Sequence, residues 1–210
     1  SSTAYLTGTA VVKTCEALKE KILHKAAKYL ETGAEELEFD GKRVYKLACE
    51  ADGTRKEITI KDLANRVQCA NEDALQVTQS HSSPISPPPF MAGAAEVEVD
   101  LETGQVELIK FAAAVDCGTP LNENLARVQT EGGLVQGIGM ALYEDVSYSK
   151  DGKVHENSFM QYKVPSRLDV GRVQVEFESS FEPTGPFGAK SIGEVVINTP
   201  SPAIANAVYN

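Results

Sequence analysis

Cysteine is scarce and dispersed: Cys15, Cys49, Cys69 and Cys117 include no CxxC pair. Thiolate sites for zinc or iron–sulfur clusters need closely spaced ligands, so neither is encoded. The four are expected to be buried, reduced thiols of a cytosolic protein. His24, His81 and His155 stand apart from one another and from any acid at ligand spacing, which leaves them surface or packing roles. Positive charge is also short. Twenty Lys and Arg against 30 Asp and Glu leave a formal net charge of -10, with no basic run. A nucleic-acid partner, which demands a concentrated basic face, is thereby excluded. No apolar stretch approaches the ~20 residues of a membrane span. No secretory signal or transit peptide is visible, so a cytoplasmic location without a membrane partner is expected. No Gly-Lys-Ser or Gly-Lys-Thr follows the glycines, which removes a P-loop. Gly137-Ile138-Gly139 meets Leu142 where a dinucleotide fingerprint needs a third small residue.

What remains is an ordinary globular composition, 42% apolar and 24% charged over 210 residues. That length is enough for one large domain or two small ones. Over residues 7–30 the apolar side chains Val11, Val12, Cys15, Leu18, Ile22, Leu23, Ala26 and Leu30 recur at helical spacing, with Gly33 as the expected stop. Residues 37–39 and 44–47 flank Asp40-Gly41 and predict a hairpin. A third strand is expected over 57–60 and a helix over 62–70. Residues 71–90 are polar and contain Pro87-Pro88-Pro89, which cannot sit in a helix or a central strand. They read as a connection between two modules, 1–84 and 85–210, rather than as a ligand for a proline-recognition domain. In the second module strands are predicted over 94–100 and 105–115, then a helix over 124–143. Further strands are expected near 146–148, 158–164 and 173–177, with a final helix from about Val195. Mixed elements without a regular βαβ repeat make the fold class α+β. The chain opens without Met and stops inside a predicted helix, so a fragment of a longer chain is expected.

Three segments could carry chemistry. The run from Gln129 to Met140 places four glycines in one predicted helix, each costing roughly 1 kcal/mol relative to alanine. Close helix packing explains this somewhat better than the alternative, a backbone brought near a bulky ligand with Gln129 and Gln136 as hydrogen-bonding groups. Gly185-Pro186-Phe187-Gly188-Ala189-Lys190-Ser191-Ile192-Gly193-Glu194 leads into the last helix. Its carboxylate is either an ordinary first-turn Glu opposite the helix dipole or a general base held in a pocket. Ser1-Ser2-Thr3 precedes the first helix, where hydroxyls usually cap or merely solvate.

Taken together with Val97-Glu98-Val99-Asp100, Thr103-Gly104, Asp116-Cys117-Gly118 and Asn122, these segments resemble the carboxy-terminal half of the molybdopterin-binding domain of the xanthine dehydrogenase and aldehyde oxidase family. The order and separation of the blocks carry the resemblance over nearly all of the second module. Residues 35–85 contribute little, and Glu123 stands where a proline often follows the asparagine. The resemblance implies roles. Glu194 matches the family's catalytic glutamate, the base for a hydroxyl on molybdenum. Gln129 matches a glutamine that hydrogen-bonds the pterin, and Ser1, Ser2 and Thr3 match a hydroxyl-rich cofactor contact. Gly193 lets the backbone pass close to the metal centre. The metal is held by the cofactor, so no protein ligand is expected.

An oxidoreductase is implied, a molybdenum hydroxylase acting on a purine-like N-heterocycle or an aldehyde with water as the oxygen source. Its cofactor is a molybdopterin, with the cytosine dinucleotide form included. Iron–sulfur clusters and FAD belong to other domains or subunits, which are the implied partners together with the rest of the molybdenum subunit. Alone, the 210-residue piece is expected to be inactive. The competing reading is a non-catalytic scaffold or assembly subunit that keeps the fold and binds no cofactor.

Overall fold

The computed structural model describes residues 2–178 and 180–210, and Ser1, one of the expected cofactor contacts, lies outside them. The chain divides into two compact units, one of residues 8–82 and one that joins residues 2–7 to 83–210. Both units are α+β, as expected.

In the first unit a three-stranded antiparallel sheet, β1 (Leu37–Phe39), β2 (Arg43–Lys46) and β3 (Glu57–Thr59), packs with α1 (Gly8–Leu30) and α2 (Ile60–Cys69). The Asp40-Gly41 turn forms where expected. Asp40 Oδ1 accepts the N–H groups of Lys42 and Arg43 at 2.9 Å each, and Gly41 takes φ +93. Helix α2 is capped by Thr59, whose Oγ1 accepts from Asp62 N at 3.1 Å. Ile22, Ala26, Leu30, Val44, Ile58, Leu63 and Val67 make the core. Val11 and Cys15, expected on the dry face of α1, are exposed, because only the second half of that helix packs on the sheet.

Two expectations change here. The stop of α1 is not Gly33 but Glu31, at φ 52, with Thr32 N bonded to Ala27 O at 3.2 Å. That is a Schellman ending, in which a non-glycine residue accepts the left-handed position. The cysteines also differ: all four are free, but only Cys117 is buried, with Cys15, Cys49 and Cys69 exposed. Cys15 lies on the unpacked half of α1, Cys49 in the turn after β2 and Cys69 at the end of α2.

Helix α2 also ends with a Schellman arrangement, Asn71 at φ 54 and Glu72 N bonded to Val67 O at 3.0 Å. This turn delivers the Glu72 carboxylate to Lys25 (2.8 Å), Lys28 and Tyr29 (3.1 Å) on α1. Those contacts, led by Lys25 and Lys28, pull its pKa down to about 2. A depressed carboxylate stabilises the fold above its ordinary value near 4.5 and loses that contribution as pH falls from there toward about 2. Glu72→Gln should therefore melt below wild type at neutral pH and together with it near the acid limit. Thermal melts of the pair across pH 2–7 check this; a gap independent of pH would contradict it.

The second unit is built on β4 (Phe90–Val99), β5 (Val106–Asp116) and β6 (Arg172–Phe177). β4 and β5 pair antiparallel, with a bulge at Glu96/Val97, whereas β5 and β6 pair parallel. A parallel pair needs a crossover, which α3 (Glu123–Leu142) and the irregular residues 143–171 supply. Asn122 caps α3 through Leu125 N at 3.0 Å. Phe111, Ala113, Val115 and Val175 from the sheet meet Leu134 and Ile138 of α3 and Ile204 of α4 (Pro200–Tyr209).

The strands expected near 146–148 and 158–164 do not form. The first reduces to a single bridge between Tyr148 and Val154. In the second, the N–H groups of Gln161 and Tyr162 fold back on Ser158 O at 3.0 and 2.8 Å, with Phe159 and Met160 exposed. The last helix starts later than expected, at Pro200, after a short 3-10 turn Val195–Ile197. Pro200 and Pro202 lack N–H donors, which suits the first turn of a helix and no later one. Among the described residues no helix is long and apolar enough to cross a membrane.

Candidate functional site

The glycines of α3 set the site. A Cβ on Gly133 would lie 2.1 Å from Val196 Cγ2, and one on Gly137 would lie 2.7 Å from Pro200 Cγ. Both glycines therefore let α3 sit directly against the 3-10 turn and the start of α4. Packing is the reason for these two, as spacing favoured. Gly132 differs, since a Cβ there would meet nothing within 4 Å. It faces a cleft of about 500 Å³ shared with Gln129, Gln136, Gly193, Glu194 and Val196. One helix thus uses glycine for two purposes.

Because α3 lies so close, Gln129 Nε2 donates to Gly193 O at 3.2 Å. On the other side of this contact a second hollow, about 390 Å³, is lined by Thr3, Ala4, Gln129, Ser191, Ile192 and Gly193. Gln129 and Gly193 belong to both hollows. Thr3 and Ala4 reach the second through a turn of π-helix, Thr3–Thr7, anchored by the buried Tyr5, whose hydroxyl donates to Thr184 Oγ1 at 2.8 Å. Ser191 Oγ is buried and, among the described residues, has no hydrogen-bond partner.

Of the residues expected at the site, the structure brings Thr3, Gln129, Gly193 and Glu194 around these adjoining hollows. Ser2 is not brought there; its carbonyl accepts Leu6 N at 2.8 Å and starts the turn that carries Thr3. Glu194 is exposed within its cleft and makes no side-chain cap to the 3-10 turn that follows it. Sequence reasoning missed Ser191 and Ala4. A serine flanked by Lys190 and Ile192 carries no signal of its own burial, and only the folded loop reveals the orphaned hydroxyl.

The loop bearing Glu194 is fastened upstream. Lys190 N donates to Cys117 O and Thr119 N to Gly188 O, each at 2.8 Å. Gly118, at φ +68, permits this approach, since a Cβ there would lie 2.4 Å from Gly188 O. Asp116 accepts from Lys190 Nζ at 2.7 Å, Ser180 Oγ at 2.5 Å and Gly118 N at 2.9 Å. Burial raises the Asp116 pKa, but Lys190, Ser180 and Gly118 together outweigh it and hold the carboxyl below the usual carboxylate range. Burial, with Asp116 adding, pushes the Cys117 thiol up, so it is a packing group and not a nucleophile.

Hydroxyl and amide donors around an open glycine wall, with an unsatisfied buried hydroxyl among them, suit a planar ligand rich in hydrogen-bonding edges. Among the described residues no group of three His, Cys, Asp or Glu side chains could hold a metal ion directly. Comparison with known proteins shows the family. The sequence profile of the molybdopterin cofactor-binding domain matches residues 1–171, which include Thr3 and Gln129 and end before Glu194. The Escherichia coli protein named "Probable hypoxanthine oxidase" is 32% identical over all of this chain and 22% of its own length. The gamma subunit of the 6-hydroxypseudooxynicotine dehydrogenase complex of Paenarthrobacter nicotinovorans is 29% identical over 99% of this chain and 26% of its own. The structure of reconstituted CO dehydrogenase from Oligotropha carboxidovorans matches with a TM-score of 0.78 and 27% identity, over 96% of this chain and 25% of that one. The chain thus spans about a quarter of the length of these relatives, which is 22–26% by the three comparisons. It belongs to the molybdopterin cofactor-binding domains of the xanthine dehydrogenase and aldehyde oxidase family.

Proposed function

We propose that this chain is the cofactor-holding part of a molybdenum hydroxylase that oxidises a purine-like N-heterocycle or an aldehyde with water as the oxygen source. The observation that carries the reading is the meeting of Thr3, Gln129, Ser191, Gly193 and Glu194 around two hollows that share Gln129. Thr3 and Ser191 offer hydroxyls, and Gln129 offers an amide held by Gly193 O. These would grip a molybdopterin, the cytosine dinucleotide form included, while Gly132 leaves room for it. When bound, that group supplies the two-electron redox chemistry, and the protein contributes orientation and acid–base groups. Glu194 is the acid–base group. Its carboxylate accepts the proton released as water is made nucleophilic, and among the described residues its side chain has no hydrogen-bond partner to compete for that role.

The substrate class follows the relatives named for hypoxanthine and 6-hydroxypseudooxynicotine, both nitrogen heterocycles. Iron–sulfur and FAD domains or subunits, and the rest of the molybdenum subunit, are the proposed partners. The test uses the full-length protein. Molybdenum and pterin are assayed per polypeptide, and turnover with purines and aldehydes is followed in oxygen-18 water. Cofactor together with label in the product supports the reading. A folded protein free of both metal and pterin would instead mark a scaffold subunit.

A further inference from the structure

The Glu194 loop is held at two places, and the upstream one is charged. Lys190 and Asp116 form an enclosed ion pair, with side chains 11% and 21% exposed. Asp116 ends β5, and its two oxygens draw together Lys190, Ser180 and the Gly118 N–H. Two backbone bonds, Lys190 N to Cys117 O and Thr119 N to Gly188 O, run beside the pair. Downstream, Gln129 holds Gly193 O and Val196 fills the hollow over Gly133. Glu194 lies between these fastenings; its carbonyl accepts Ile197 N at 3.1 Å, but its side chain has no hydrogen-bond partner among the described residues. The direction of its carboxylate is therefore set by where the two fastenings put the backbone.

A lysine and an aspartate largely withdrawn from water cost desolvation that a neutral pair would avoid. The gain is a fixed point, since three segments of chain meet at one carboxylate. We propose that Lys190 and Asp116 are positioning residues for Glu194, holding the loop so that its carboxylate meets the reacting group. This rests on Glu194 being the base. Removing the lysine leaves Asp116 with Ser180 and Gly118 only, and frees residues 188–194 from the strand end at their side-chain contact.

The test uses full-length holoenzyme carrying Lys190→Met, Lys190→Arg, Asp116→Asn or both Lys190→Met and Asp116→Asn. Turnover is expressed per molybdenum, and amide exchange is followed over residues 186–198. In Lys190→Met, kcat per molybdenum should fall about 10- to 100-fold, the scale of a misplaced reacting group, with KM within about twofold. Exchange over the loop should rise, Lys190→Arg should recover much of the rate, and the double variant should be no slower than the slower single. Should Lys190→Met fail to fold, Lys190→Arg and Asp116→Asn carry the same comparison. Wild-type kcat per molybdenum in Lys190→Met and Asp116→Asn, or a loss explained wholly by missing metal, would overturn the proposal. Glu194→Gln is run alongside. If it turns over normally, the base assignment itself fails; if it is inactive while the Lys190 variants are unimpaired, only the positioning role fails.

Discussion

Replacing Glu194 by Gln in the full-length enzyme is expected to lower kcat by about 10²- to 10⁴-fold, the usual contribution of a general base. Gln has the same shape and can hydrogen-bond, but its amide does not take up a proton near neutral pH. The fold should not notice the change. Glu194 is exposed, caps nothing, and makes no ion pair among the described residues. Melting temperature, molybdenum content and pterin content should therefore all match wild type, which separates chemistry from assembly. Steady-state kinetics normalised to molybdenum provide the measurement. A variant that keeps its metal and its rate would remove Glu194 from proton transfer.

Gly133→Val should be strongly damaging. The new Cβ would stand 2.1 Å from Val196 Cγ2 and 2.9 Å from Val196 Cβ, and Val196 is only 1% exposed. A rotamer change can move Val196 Cγ2 but not its Cβ, so the 3-10 turn must move away from the helix. Overpacking of this kind costs about 1–3 kcal/mol. With Glu194 as the proposed base, the cost to function should exceed that to stability, since the same displacement would pull Gly193 from Gln129 and re-aim Glu194. Gly132→Ala is the control. Its Cβ meets nothing within 4 Å, so the helix should gain up to about 1 kcal/mol from the better former. Yet Gly132 lines the cleft, and the added methyl should reduce pterin content. Melting curves and cofactor assays of both variants check the pair; an unchanged melt for Gly133→Val would contradict the packing argument.

Local elements were legible because their causes are local. Asp40-Gly41 turned the chain where a hairpin was expected, the apolar periodicity behind α1 marked that helix, and the helices expected over 62–70 and 124–143 form close to those bounds as α2 and α3. Asn122 began α3 one residue before the expected start, at 124, because its side chain caps Leu125 N. Failures came where a partner decides. The segment 158–164 has strand-forming residues, yet its Gln161 and Tyr162 N–H groups bond back to Ser158 O and close a turn instead of pairing with a strand. Gly33 looked like a helix stop, yet Glu31 took the left-handed position because the Thr32–Ala27 bond closes there.

The candidate site divides in the same way. The family resemblance, carried by the order and separation of the sequence blocks, named Ser1, Ser2, Thr3, Gln129, Gly193 and Glu194, and nothing about distance was needed for that. What the four glycines of α3 are for could not be read from their spacing, because packing and ligand approach place the same demand on a missing side chain. Only the tertiary structure separates Gly133 and Gly137, pressed on Val196 and Pro200, from Gly132, open to a cleft. It alone also buries the Ser191 hydroxyl and joins Lys190 to Asp116 across 74 residues. A sequence records which groups exist, whereas desolvation and pairing arise between groups that meet only after the chain has closed.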